Sequence, residues 1–145
     1  MGNFLDDINK VKMDCNAKKR AVENIIVEHF AKQIDDIKFE ERLKERIINS
    51  IKANDKTCLW VQFWKHHDGC SPTHYGMSFC KDFYGNGGYD NNYYDGVDLW
   101  DIRYDVTKRL CDLYEKKLSS LGLKYSRETK TSWLDYPEYR YDIIV

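Results

Sequence analysis

The spacing of apolar residues changes abruptly near residue 55, and that change dictates the fold class. Up to residue 53 apolar side chains recur every three or four positions, as one face of a helix requires. From Thr57 they alternate residue by residue, the period of a strand. In residues 4–30 the stripe runs through Phe4, Ile8, Val11, Cys15, Val22, Ile25 and His29, with Asn3 or Asp6 suited to cap its start. It thins at Lys18-Lys19-Arg20, so the segment is either one long helix or two helices meeting there. Residues 39–53 carry a second stripe, Phe39, Leu43, Ile47, Ile48 and Ile51, with Glu40 and Glu41 placed to pair with Lys44 and with Asn54-Asp55 as a stop.

Thr57–His66 is rich in strand formers, and both of its faces are bulky: Leu59, Val61 and Phe63 against Trp60, Gln62 and Trp64. This predicts a central strand. A turn at 68–72 and a second strand over His74–Phe83 follow, and the short connection between them predicts an antiparallel hairpin. Gly85–Gly96, with four Gly and three Asn, predicts a loop without regular structure. Ile102, Val106, Leu110, Leu113, Leu118 and Leu121 then mark a helix over Asp98–Leu121. Asp98 and Asp101 complement the dipole at its start, and Lys116, Lys117 and Gly122 suit its end. Residues 123–130 and 138–145 read as strands, the latter with Tyr139, Tyr141, Ile143 and Val145 on one face. The expected architecture is α+β over residues 1–145 as one domain: N-terminal helices, an antiparallel β-hairpin, a long helix and C-terminal strands forming one sheet, with helices packed on one face.

Composition narrows the class further. At 42% hydrophobic and 14% aromatic residues the chain can bury a core, and no apolar run approaches the roughly 18 residues of a membrane span. The N-terminal residues lack the basic start and apolar core of a secretory signal. Five cysteines, an odd number, fit a reducing, cytoplasmic setting better than a closed disulfide framework. The bias toward Lys, Asn, Ile and Tyr is the usage that accompanies AT-rich coding DNA, as in low-GC bacteria and their phages.

Three constellations offer chemistry. His66, His67, Cys70, His74 and Cys80, with Cys58 nearby, fall within 58–80 and include the residue types that hold zinc. No two pairs among them have the spacing of a zinc motif, so no cofactor is expected. Cys70 or Cys80 beside His67 or His74 also has the residue types of an activated nucleophile, and His66, His67 or His74 those of a general base, without a family signature. Asp90–Gly96 resembles a calcium loop in composition only, because Tyr93 and Ile102 stand where oxygen ligands belong. Gly85-x-Gly87-Gly88 lacks the Lys-Ser/Thr of a phosphate cradle. Lys18-Lys19-Arg20 reads as a solvated helix face, diluted by Asp14, Glu23 and Glu28.

The most distinctive segment is Asp82–Asp105. Six Asp, one Arg and seven aromatics give it a net charge of −5, against +4 for the rest of the chain. Such a segment repels phosphate, so direct nucleic-acid binding is not expected. It attracts a basic protein surface instead, and its Tyr, Asn, Gly and Asp are the residues of adaptable binding loops. The expected site is Tyr89, Asp90, Tyr93, Tyr94, Asp95, Asp98 and Trp100. The expected function is a small non-enzymatic interaction module, in its specific version a phage or mobile-element inhibitor of a basic, nucleic-acid-handling or defence protein. The alternative is a metal- or small-ligand-binding protein, or a hydrolase-type enzyme, built on the 58–80 cluster. The near-heptad stripe of residues 4–30 also offers a surface for self-association.

Overall fold

A computed structural model of the chain describes residues 3–62, 74–78, 93–131 and 137–145. Helix α1 (Asn3–Asp35) runs without a break through Lys18-Lys19-Arg20, because all three are good helix formers and none breaks the backbone. The stop comes at Asp36, whose backbone is extended and whose carboxylate accepts the Lys38 N–H at 3.0 Å, opening α2 (Ile37–Lys52). Asn54, left-handed at φ 54°, ends α2, and the Asp55 N–H reaches back to the Ser50 carbonyl.

The buried residues of α1 are Val22, Ile26, Val27, Phe30 and Ile34. The expected stripe is therefore right at Val22 and one position early beyond it, since Ile25 and His29 are exposed. The buried row Val22, Ile26, Phe30 and Ile34 is spaced by four, so the core face winds slowly around the helix and away from the stripe. In α2 the core takes Phe39 and Leu43, with Ile47 partly buried, and then Ser50, whose hydroxyl donates to the Arg46 carbonyl. Ile48 and Ile51 stay exposed.

The sheet contains β1 (Thr57–Gln62), β2 (His74–Ser78), β5 (Lys124–Thr131) and β6 (Pro137–Ile144), in the order β2-β1-β6-β5. A separate two-stranded ribbon joins β3 (Tyr93–Tyr94) to β4 (Val97–Asp98). The α+β class and the central place of β1 match the reading of the sequence; one pairing does not. β1 and β2 are parallel, Cys58 beside His74, and not an antiparallel hairpin. The antiparallel neighbour of β1 is β6, with Leu59 opposite Tyr141, and β6 pairs antiparallel with β5. Eleven residues separate Gln62 from His74 in sequence, more than the tight turn of a hairpin uses. The rest of the two expected strands, 63–66 and 79–83, lies outside the described residues.

Helix α3 (Arg103–Ser120) follows a short 3₁₀ turn (Leu99–Ile102) and ends at Gly122, left-handed at φ 73°, with the Leu123 N–H bonded to the Leu118 carbonyl. Its buried face, Val106, Leu110, Cys111, Tyr114 and Leu118, meets Leu59, Tyr141 and Ile143 of the sheet and Val22, Ile26 and Phe30 of α1 in one core. Tyr141 stands edge-on to both Tyr114 and Tyr125. At the rim, Arg109 donates to Glu23 at 2.8 Å and Asn24 at 2.9 Å, tying α3 to α1. Glu40, placed by sequence to support its own helix, takes Lys117 of α3. Burial pushes the Cys111 thiol up to about 12, and it raises Tyr141, Tyr139 and Tyr125 in the same direction.

Candidate interaction site

The described part of the acidic-aromatic segment is built on a hairpin. Asp95 (φ 50°) and Gly96 (φ 77°) both occupy the left-handed region, the backbone of a type I′ turn. Asp and Gly tolerate that region, so the pair connects Tyr93-Tyr94 to Val97-Asp98 with two residues. This corrects the expectation of an irregular loop up to Gly96: Tyr93 and Tyr94 are strand and Asp95-Gly96 is turn, while 85–92 lies outside the described residues. The signal was present as Asp-Gly between two short strand-forming pairs. Counting the glycines together as loop formers hides that Gly96 is half of a two-residue turn.

The seven expected site residues separate by position. Tyr93 is 62% exposed and Asp95 is exposed beside it, so both are presented at the tip. Tyr94 and Trp100 are half-buried and pack against the core. Asp98 accepts the Trp100 N–H at 3.0 Å and caps the 3₁₀ turn, as its acidic place before a helix implied. Arg103 lies 3.8 Å over the Trp100 ring and 4.5 Å from Tyr104, and it donates to the Trp100 carbonyl at 2.7 Å. Tyr89 and Asp90 lie outside the described residues.

Sequence reasoning missed what faces the hairpin. A shallow cleft of about 250 Å³ separates it from α1, lined by Cys15, Lys18 and Lys19 on the helix side and by Tyr93, Asp98 and Asp101 on the other. Lys19 lies 3.7 Å from Asp101, and a Cβ at Gly96 would meet the Lys18 ammonium at 3.0 Å. The acids of the hairpin therefore look across at the cations of α1, and the rim of the site has mixed charge. Nothing in the local sequence joins Lys18-Lys19 to Asp101, because only the packing of α1 on the hairpin and the 3₁₀ turn brings them together.

Of the second constellation, the register places His74 on one side of Cys58 and Asp142 on the other, across three neighbouring strands. His66, His67, Cys70 and Cys80 lie outside the described residues. Among the described residues, no three His, Cys, Asp or Glu side chains form a group that could hold a metal ion, and no helix is long and apolar enough to cross a membrane. Comparison with known proteins returns no match: no family model fits the chain, and no curated protein or solved structure is significantly similar to it.

Proposed function

We propose that this protein is a non-enzymatic, cytoplasmic interaction module that engages a basic surface of a protein partner through the β3–β4 hairpin. The observation that carries this reading is the tip itself: Tyr93 and Asp95 are exposed at a two-residue turn while Tyr94, Val97 and Trp100 pack on the core. A preorganised aromatic beside a carboxylate binds with little ordering cost, and the charge steers a basic partner. Tyr89 and Asp90 belong by sequence to the same acidic-aromatic segment. The free thiols of Cys15 and Cys111 fit a reducing compartment. The AT-rich usage supports, as the specific version, a phage or mobile-element inhibitor of a basic nucleic-acid-handling or defence protein.

The test replaces Asp90, Asp95 and Asp98 together with Asn, which keeps a side chain able to cap at 98 and tolerant of positive φ at 95. Affinity capture with wild-type and variant protein side by side should recover a specific partner only with wild type, and that complex should weaken as salt rises. Equal capture by the variant, with no salt dependence, removes the proposal.

A second reading, a metal or small-ligand site built on the 58–80 cluster, has one observation behind it, the pairing of His74 with Cys58 in register. Metal analysis of purified protein tests it: stoichiometric zinc lost on Cys58→Ser or His74→Ala supports this reading over the first.

A further inference from the structure

Lys18-Lys19-Arg20 reads from sequence as a solvated helix face, yet Lys18 and Lys19 are drawn to the hairpin. Lys19 reaches Asp101 of the 3₁₀ turn at 3.7 Å, and the Lys18 ammonium lies against the Asp95-Gly96 turn, 3.0 Å from where a Cβ of residue 96 would stand. Neighbouring residues of a helix point about 100° apart, so the two lysines approach the hairpin and the 3₁₀ turn from separate directions. The cleft of about 250 Å³ lies between them and Tyr93, Asp98 and Asp101. That volume is below the roughly 300–1,000 Å³ of small-molecule pockets and suits a single side chain.

We propose, resting on the hairpin reading, that Lys18 and Lys19 hold in the free protein the place that basic side chains of the partner take when it docks. The cleft is then the docking point, and the α1 lysines are its internal competitors. The cation seated against the acidic wall in the free chain is an alkylammonium, the same chemistry that a basic partner brings. Its seat is loose. At 3.7 Å, with the Lys19 and Asp101 side chains 42% and 48% exposed, this is a surface ion pair that shifts an equilibrium by at most about fivefold. A lysine of the partner matches it, and an arginine adds a planar fork for the carboxylate and a face that stacks on Tyr93. Arg103 makes such a stack within the molecule, 3.8 Å over Trp100.

Binding is then an exchange, in which internal ion pairs open as external ones form. Removing the lysines should tighten binding, because the acids are left unoccupied. It should also steepen the dependence on salt, because every ion pair of the complex is then a new one. Lys18→Gln with Lys19→Gln does this while keeping long side chains that favour the helix. Lys10→Gln with Lys32→Gln makes the same change in net charge elsewhere on α1, where both residues are exposed and neither lines the cleft. Both lie at least about 12 Å from Lys18 along the helix. Charges farther apart than about 8 Å are largely screened at physiological salt, so this second pair of changes isolates local competition from net charge.

Titration of the full chain with a capped penta-arginine peptide at about 0.05 and about 0.15 M salt tests this, with the amide resonances of Tyr93, Asp95 and Asp101 followed by NMR. The Lys18→Gln/Lys19→Gln variant should bind about 5- to 20-fold tighter than wild type and lose affinity more steeply with salt, while Lys10→Gln/Lys32→Gln stays within about twofold. Equal affinity of wild type and Lys18→Gln/Lys19→Gln overturns the proposal. Weaker binding by that variant also overturns it, since the lysines would then be contacts and not competitors. Equal tightening by Lys10→Gln/Lys32→Gln does the same by reducing the effect to net charge, and so does an absence of binding by every protein at about 1 mM peptide. The hairpin reading fails separately. It falls if Asp90→Asn/Asp95→Asn/Asp98→Asn binds the peptide as wild type does, and it stands if that variant loses the peptide while the lysine changes have no effect.

Discussion

In the C-terminal half of α1, Val22, Ile26, Phe30 and Ile34 are buried against α3 and the rest of the core; in the N-terminal half, Phe4, Ile8 and Val11 stand in solvent on the same face. The side chains are of one kind and the helix is continuous, so the difference owes nothing to local chemistry. It teaches that the apolar face of a helix has value only where something covers it. The hairpin repeats the lesson at smaller scale, with Tyr94 packed on the core and Tyr93 in water.

The sharpest way to break the comparison is to delete one aromatic from each half. Phe30→Ala should cost about 3–5 kcal/mol, because the surroundings of a buried ring collapse only partly into the space it leaves. Phe4→Ala should change stability by no more than about 0.5 kcal/mol. Urea melts measure both, and similar values would dissolve the distinction.

Next in size is alkaline pH, which acts on the buried side alone. The unfolded Cys111 thiol loses its proton near pH 9.0, while the folded one keeps it to about 12. Between those values the folded chain holds more protons, so stability should fall as pH rises, by about 1.4 kcal/mol per unit from this group. The raised Tyr141, Tyr139 and Tyr125 act in the same direction above pH 10. Denaturation at several pH values above 8 should show that slope, and Cys111→Ala should flatten its lower part. The same contrast has a kinetic form: peptide mapping after iodoacetamide treatment should find Cys15 alkylated at least about 100-fold faster than Cys111.

The smallest effects lie in the hairpin. Asp98→Ala should cost about 1 kcal/mol through the lost cap and Asp98→Asn much less, while Tyr93→Ala should leave stability unchanged and report only on binding. A melting temperature lowered by Tyr93→Ala would place that ring in the fold and not at a partner's surface.

Much of the fold was legible because helices and strands write their period into the sequence. The places of α1, α2, α3, β5 and β6, the stop at Asn54 and the close at Gly122 follow from local rules, while the extension of α1 to Asp35 and the 3₁₀ turn before α3 were not read. The parallel partner of β1 was not legible, since a pairing rule based on short connections cannot see that β6 takes the antiparallel side. Tyr114 and Cys111 were also missed, because the core of α3 is wider than the aliphatic stripe that marked it. In the candidate site, Asp98 was legible as a cap and Asp95-Gly96 was legible as a turn but misread. The meeting of Lys18 and Lys19 with Tyr93 and Asp101 was not legible.

By itself, the sequence determined which of the longer segments are helix and which are strand, and the stops at Asn54 and Gly122, because backbone preference and side-chain period act over a few residues. Only the tertiary structure decided that one half of α1 is core and the other half surface, that Tyr93 is offered to solvent and Tyr94 is not, and that hairpin acids face helix cations. Burial and charge pairing depend on residues distant in the chain, and their energies exist only once those residues are brought together.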